Sequence, residues 1–313
     1  MTTKTNFFNE LNCKVCGSSK YEIIYESLYP ENISEEELRK SFMASSDRKL
    51  LDRLVRCGDC GFVYINPQLA PELIVSSYSG AVDETFVSQN ASRIITFKNS
   101  FKKVINKLGI TDTSKYKVLD IGCAGGAFPK AAFDLGFEIT GIEPSKWLSE
   151  YGRTQYNIDI RTGTLESHDF QERQFDIITL WDVLEHISCP EMTLIKIDKL
   201  LKDSGRLVLT YPDINSFTSR ILGKNWPFLL SVHLYYFNRK TIRKFLEKYG
   251  YEVEYVSPYW QSLELGYILK RAANYFKLFS IFCKLSKIAG ISGLPLKYNM
   301  GQTLVIARRK NKI

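Results

Sequence analysis

Four cysteines stand in two tight pairs, "CKVCG" (Cys13, Cys16) and "CGDCG" (Cys57, Cys60), each with glycine directly after the second cysteine. Four thiolates suffice for a closed, tetrahedral zinc site. Glycine at that position tolerates the positive φ that turns backbone N–H groups towards the sulfurs. The 40 residues between the pairs exceed the roughly 15–20 of a compact ribbon. A short helix after Ser34, with Glu37 at capping-box spacing, can fill that gap. A closed four-thiolate site leaves no position for a reactant, so its role is expected to be structural. A thioredoxin-like redox pair is the competing reading.

A second chemical signal is "KVLDIGCAGGAF", Lys117 to Phe128, a strand-like run that ends in glycines and opens a helix. A dinucleotide fingerprint would need glycine at positions 124 and 127, which are alanines here. A triphosphate loop would need Gly-Lys-Ser/Thr, which Phe128, Pro129 and Lys130 do not supply. The spacing that fits is G-x-G-x-G: Gly122, Ala124 as a departure, and Gly126. Asp120, two residues before the first glycine, would repel a pyrophosphate and favour a ligand with an ammonium group. S-adenosylmethionine (SAM) carries an ammonium and no phosphate. Glu143, in "TGIEPS", is placed to accept from both ribose hydroxyls. The predicted cofactor residues are therefore Asp120, Gly122, Ala124, Gly126 and Glu143.

With "TGIEPS", "FDIITLWDVLEHISCP" and "LKDSGRLVLTYPD", the glycine stretch resembles the successive motifs of class I SAM-dependent methyltransferases. The nearest likeness is to a bacterial group that modifies sugars, surface glycans, lipids or quinones. The resemblance runs from Val118 to Val256 and returns at "GQTLVIARRK". It implies an α/β, Rossmann-like, seven-stranded sheet with a small zinc-ribbon-like module at the N-terminus. It also implies Leu165 and Glu166 beside the adenine, and Trp181 and Asp182 bordering donor and acceptor, although Trp181 reads equally well as a core aromatic. "LVRCGDCGFVYINPQ" is similar to the zinc module attached to some sugar C-methyltransferases. Those enzymes usually carry a further C-terminal domain, for which this chain is too short.

Methyl transfer from a sulfonium is an in-line displacement governed by positioning, and a hydroxyl acceptor benefits from a base. Of the three histidines, His168 reads as a surface residue. His186, in "DVLEHI", and His233, in "SVHLYYF", are the catalytic candidates, with His233 preferred. Its loop is rich in aromatics (Trp226, Phe228, Tyr235, Tyr236, Phe237). Asp182, Glu185 and His186 are similar to a Glu-x-x-Glu-His run that accompanies a divalent metal in ubiquinone-pathway O-methyltransferases. The favoured reading is that Glu185 and His186 cap and brace the following helix.

These residues need elements to hold them. Strand-like pieces recur at "KVLDIG", "FEITGIE", "FDIITLWD", "GRLVLTYP", "YEVEYVSP" and "QTLVIARR", most of them separated by helical patterns. That alternation predicts a parallel sheet covered on both faces. The organisation read is a zinc module over 1–75, a helical connector over 76–112, and a SAM-binding domain over 113–313 with an insertion at 259–301. Within the insertion, Lys270, Arg271, Lys277, Lys284 and Lys287 alternate with Tyr275, Phe276, Phe279, Ile281, Phe282, Leu285 and Ile288. A helical lid over the active site or a dimer contact is the preferred reading; a helix in an anionic membrane interface is the other.

A hydrophobic content of 44% supports a packed core, and the net charge of +8 favours anionic partners without choosing among them. No apolar run reaches the ~20 residues of a membrane span and the N-terminus lacks a signal pattern. The expected location is cytoplasmic, with peripheral contact on the inner membrane face under the interfacial reading. The expected reaction is SAM-dependent methylation, with O-methylation favoured, of a small molecule: a sugar, a surface glycan or a lipid-linked precursor. The alternatives are an RNA methyltransferase and a non-catalytic SAM-fold partner protein. Nucleic acid is disfavoured, because "WDVLEH" stands where base N-methylating enzymes carry Asn/Asp-Pro-Pro-aromatic.

Overall fold

In the computed structural model, residues 7–30, 33–42, 49–79, 82–274 and 276–310 are described. Tyr275, named above, lies outside them. The N-terminal region contributes β1 (Tyr21–Tyr25), α1 (Glu35–Phe42), β2 (Leu54–Cys57) and β3 (Val63–Ile65). Helix α1 starts where the sequence signals it. The Ser34 hydroxyl accepts from the Glu37 N–H (3.3 Å), and the Glu37 carboxylate accepts from the Ser34 N–H (3.0 Å). Helices α2 (Pro71–Ser79), α3 (Glu84–Val87) and α4 (Asn90–Leu108) follow. Helix α4 stops at Gly109, whose φ of 66° closes a left-handed cap.

From Lys117 the chain builds one seven-stranded sheet. Its elements are β4 (Lys117–Ile121), α5 (Ala127–Phe133), β5 (Glu138–Glu143), α6 (Lys146–Tyr156), β6 (Asp159–Thr162), β7 (Phe175–Trp181), α7 (Pro190–Leu200) and β8 (Leu201–Pro212). After α8 (Phe217–Leu222) and the short β9 (Tyr235–Tyr236) come α9 (Arg239–Lys248) and β10 (Tyr251–Pro258). The arm of β11 (Gln261–Glu264), α10 (Leu265–Ala273), α11 (Phe279–Ile288) and β12 (Pro295–Tyr298) precedes the last strand, β13 (Gln302–Arg309). The sheet order is β10-β13-β8-β7-β4-β5-β6. It is parallel from β8 to β6, and β13 runs antiparallel to both its neighbours. Strand β7 is buried over most of its length, as expected when helices cover both faces. Strand β6 is the member that the sequence patterning missed: only Ile160 of its four residues is buried, so no alternation marks it.

The N-terminal region is not closed on itself. Strand β9 pairs antiparallel with β3, Tyr235 opposite Tyr64 and Tyr236 opposite Val63, completing the sheet β9-β3-β2-β1. The Leu234 carbonyl accepts from the Ile65 N–H (2.9 Å), and the Leu229 carbonyl from the Leu50 N–H (3.0 Å). Phe62 packs against Tyr64, Tyr235 and Phe237 at ring-centroid distances of 5.7, 6.1 and 5.0 Å. The connection 213–234 is thus held by both regions of the chain.

The arm between β10 and β13 is largely open to solvent along α11. None of the residues of α10 is buried, and Ser286 alone is buried on α11. The apolar side chains of α11 are mostly exposed, whereas Leu265, Tyr267, Ile268 and Leu269 of α10 are half-buried.

The Tyr236 hydroxyl, fully buried, donates to the Leu230 carbonyl (2.9 Å) and accepts from the Leu230 N–H (3.1 Å). Tyr236→Phe strands both backbone groups and is expected to lower stability by about 1–3 kcal/mol. Urea denaturation checks this; an unchanged midpoint would show that the loop is not held there.

Candidate active site

The glycine loop follows β4 and opens α5. Gly122 and Gly126 take φ of 71° and 78°, which glycine adopts freely. Neither tolerates a side chain: a Cβ on Gly122 would lie 2.7 Å from Val183 Cγ2, and one on Gly126 2.9 Å from Ile160 Cδ1. Ala124 also takes a positive φ, 47°, so the departure from glycine is accommodated in the left-handed region. Its N–H donates to Glu143 Oε2 (2.8 Å), and the Ser145 N–H donates to Glu143 Oε1 (2.8 Å). Each carboxylate oxygen retains a lone pair for a further donor. From the other side, Asn90 at the start of α4 donates through Nδ2 to the Gly125 carbonyl (3.0 Å). Val87 fills the space beside Gly125.

Burial raises the pKa of Glu143 to about 7, against the lowering effect of the Ser145 and Ala124 N–H groups. Asp120 is 2% exposed and accepts from the Thr179 hydroxyl (2.6 Å). Burial first, and then the charge of Glu143, hold its pKa well above the ordinary carboxylate value. Among the described residues neither carboxylate has a salt-bridge partner. Two buried acids flanking one glycine loop without a cation form an environment that a positively charged ligand would relieve. These residues fit SAM.

Leu165 is buried in the core, and the Glu166 carboxylate accepts from the Thr193 hydroxyl (3.1 Å). Trp181 packs among Phe128, Phe97 and Tyr259 at ring-centroid distances of 4.9, 5.3 and 5.7 Å. It therefore serves the aromatic core. Its buried Nε1 has no partner. Asp182 takes φ of 54° at the end of β7. Its Oδ1 accepts from the Thr210 hydroxyl (2.8 Å), whose oxygen accepts from the Asp182 N–H (2.9 Å), and Gln302 Nε2 donates to Oδ2. Burial brings its pKa up to about 6.

The three-residue set Asp182, Glu185 and His186 is not the one the fold assembles. Both oxygens of Asp182 are engaged by Thr210 and Gln302. The ligand atoms that converge, within 4.8 Å of one another, belong to Glu185, His186 and His233. The rings of His186 and His233 meet edge to face at 4.6 Å. His186 Nδ1 lies 2.9 Å from the Val232 carbonyl and 2.8 Å from the Tyr78 hydroxyl; His233 Nδ1 lies 2.8 Å from the Phe228 carbonyl. A carbonyl only accepts, so these contacts place a proton on each Nδ1 and leave each Nε2 lone pair available. Glu185 is 1% exposed and neither of its carboxylate oxygens has a hydrogen-bond partner. Its backbone carbonyl accepts from the Leu234 N–H (2.8 Å), which fastens the His233 loop to the turn after β7. Val183, which packs on Gly122, places this cluster next to the glycine loop. Glu185 does not brace the following helix, as the sequence suggested, but points into the histidine pair.

At the N-terminus the four sulfurs Cys13, Cys16, Cys57 and Cys60 also converge within 4.8 Å. Cys13 Sγ lies 3.5 Å from Cys60 Sγ, and Cys16 Sγ 3.5 Å from Cys57 Sγ. Tetrahedral zinc with bonds near 2.3 Å needs sulfurs about 3.8 Å apart. Gly17 and Gly61 take the expected positive φ, 82° and 74°. The geometry can hold one zinc ion, and it joins the two pairs in one site, where a redox motif would keep them apart.

Partners of the named side chains are harder to read from the sequence. Thr179 stands out as a lone hydroxyl within the apolar run of β7, and Asn90 as a polar residue opening a helix. Nothing local marks Gln302 or Tyr78.

Glu143 yields a pH test on the ligand-free protein. Its folded pKa of about 7 lies above the ordinary 4.5, so its contribution to stability is complete below 4.5 and lost as pH rises through 7. The stability of Glu143→Gln relative to the natural chain is expected to rise by roughly 3 kcal/mol from pH 4.5 to 8. The constant cost of setting an amide N–H against a backbone N–H cancels in that difference. Denaturation curves at both pH values measure it; a difference that does not vary with pH would contradict the buried, uncompensated acid.

Comparison with known proteins agrees with this geometry. A family described as a methyltransferase domain matches residues 92–256, over half of the chain. The mitochondrial ubiquinone biosynthesis O-methyltransferase of Schizosaccharomyces pombe is 34% identical over 101 residues, 30% of this chain and 37% of its own length. The ubiquinone biosynthesis O-methyltransferase of Vibrio atlanticus is 32% identical over 115 residues, 34% of this chain and 48% of its own. The chain thus spans less than half the length of these curated relatives. Among solved structures, a methyltransferase from Haloferax volcanii in complex with its activator has a TM-score of 0.50 at 13% identity. The alignment covers 68% of this chain and 89% of that one, a likeness of fold. On the match over residues 92–256, this chain belongs to the methyltransferase domain family.

Proposed function

We propose that the protein transfers a methyl group from SAM to a hydroxyl of a small molecule. The observation that carries this reading is the pair of buried, cation-free carboxylates, Asp120 and Glu143, on either side of the glycine loop. SAM, when bound, supplies an electrophilic methyl on a sulfonium. Glu143 would accept from the ribose hydroxyls while its backbone contacts hold the loop, and Asp120 would face the ammonium. Asn90 and Val87, packed on Gly125, would exclude water from that side. The curated relatives named as O-methyltransferases support a hydroxyl acceptor. Within that class, a sugar, a glycan or a lipid-linked precursor is the acceptor we favour.

His233, with His186 beside it, would take the acceptor proton. Burial lowers the pKa of His186 to about 4 and that of His233 well below its ordinary value, with His186 adding to the second effect. Both imidazoles are therefore neutral near pH 7, as a base must be. Glu185, His186 and His233 would hold a divalent cation, which would supply polarisation of the acceptor oxygen. Glu185 and His233 are closed to solvent, so the acceptor must displace part of the connection 213–234 to reach them.

Calorimetry with SAM tests the cofactor assignment. Glu143→Ala is expected to weaken binding at least tenfold, since one carboxylate serves two hydroxyls; unchanged affinity would remove the assignment. Transfer of labelled methyl from SAM to hydroxylated sugars, lipid-linked precursors and phenolic compounds tests the activity. His233→Ala should abolish transfer while leaving SAM affinity intact.

The four cysteines are proposed to hold one structural zinc. Metal analysis should return one zinc per chain, and Cys57→Ser with Cys60→Ser should return none. Because β9 pairs with β3, that variant is expected to lose stability across the chain and not only at its N-terminus. A melting temperature unchanged by the loss of zinc would refute the structural role.

A further inference from the structure

The arm that rises between β10 and β13 inverts the usual arrangement of a helical pair. Its small and polar residues face inward: Ser286 is buried and lies 3.2 Å from Ser292 (Oγ to Oγ), and the Gly266 N–H donates to the Ser292 carbonyl (2.8 Å). A Cβ on Gly266 would lie 2.9 Å from Ser292 Cβ, so α10 and the turn after α11 are in close contact. The large apolar residues on and beside α11 face out, while those of α10 are half-buried. Ile281, Phe282, Leu285 and Ile288 form one stripe along α11, between 47% and 84% exposed, and Phe276 and Leu278 precede it at 43% and 61%. Leu294, just before β12, and Leu296 on it are exposed at 56% and 45%.

Charge surrounds that stripe. Lys270, Lys277, Lys284, Lys287 and Lys297 are all exposed, and among the described residues none has a salt-bridge partner. From Leu265 to the last residue the sequence contains no aspartate or glutamate. Lys297 Nζ sits 5.5 Å from the ring centroid of Trp260, itself 45% exposed at the root of the arm. An apolar stripe rimmed by unpaired lysines matches a surface that is apolar within and anionic at its face. A second copy of the chain would bring lysine against lysine.

We propose that this arm docks the protein on an anionic lipid bilayer, with the α11 stripe entering the headgroup boundary and the lysines meeting lipid phosphates. No helix among the described residues is long and apolar enough to cross a membrane, so the attachment is peripheral. The inference goes beyond the proposed activity and is read without any methyl transfer, so either can fail alone.

The test is co-sedimentation of the full chain with phosphatidylcholine vesicles and with vesicles containing phosphatidylglycerol. It is run at about 0.1 M and about 1 M salt, where the screening length falls from about 10 Å to about 3 Å. Binding is expected on the anionic vesicles at low salt and should weaken at high salt. Lys284→Gln with Lys287→Gln should reduce partitioning roughly 25-fold, about fivefold per charge. Phe282→Ser with Ile288→Ser should abolish it. All four side chains are exposed, so an unchanged thermal melt will show that the variants fold. Absence of binding to anionic vesicles at low salt, or equal binding to neutral ones, would overturn the proposal. So would a solution dimer that Ile288→Ser dissolves, because it would assign the face to a second copy.

Discussion

The antiparallel pairing of Tyr235 and Tyr236 with Tyr64 and Val63 is the contact on which the candidate site depends. Through it the cysteine-bearing region and the connection after β8 share a sheet and a core. The residues just before it, Val232 to Leu234, bond to Ile65 on one side and to Glu185 and His186 on the other. Backbone attachments at Val232 and Leu234, on either side of it, leave His233 little freedom. Its ring is consequently fixed against His186, although 47 residues separate the two histidines in the chain. Zinc at the four cysteines would stiffen the outer half of this shared sheet and, through it, the inner half.

Electrostatics gives the site its character. Asp120, Glu143 and Glu185 are buried, and Asp182 half-buried, around the carboxyl ends of β4, β5 and β7, and desolvation raises the pKa of each. A protein does not gather buried acids for stability, since each costs free energy that apolar packing would not. The cost is partly offset by local donors: Thr179 for Asp120, Ala124 and Ser145 for Glu143, Thr210 and Gln302 for Asp182. Glu185 alone among them has no donor, and it is the one that faces the two imidazole nitrogens.

The arm follows a different rule. The sheet needs only a turn between β10 and β13, because Pro258 already lies opposite Thr303. What is inserted there carries its own two-stranded ribbon and helical pair and leaves a large apolar stripe in water. Such a patch is unfavourable in a free monomer unless something covers it.

The chemistry-bearing motifs were legible without a structure. CxxC followed by glycine suits a positive φ at Gly17 and Gly61, and both have it; the two pairs then meet because β1 pairs with β2, Tyr21 opposite Cys57. Gly122 and Gly126, with Asp120 before them and Glu143 at the next strand end, are local signals set by backbone sterics and by two adjacent parallel strands. Five of the six patterned strands were readable because burial on both faces leaves nearly continuous apolar runs, and the edge strand β10 because its burial alternates at the start. Strand β6, at the sheet edge with one buried residue, carried no such imprint. Long-range partnership was not legible. "DVLEH" by itself suggests that Asp182 joins Glu185 and His186, but the positive φ at Asp182 turns its carboxylate towards Thr210 and Gln302. Only tertiary structure could put His233 in its place, because that choice rests on strand pairing between residues about 170 apart. The direction of the arm's apolar face was likewise undecided by periodicity, which reports that a stripe exists and not what it meets. Sequence thus determined the groups whose geometry is local, and the fold decided every contact whose loop closure spans much of the chain.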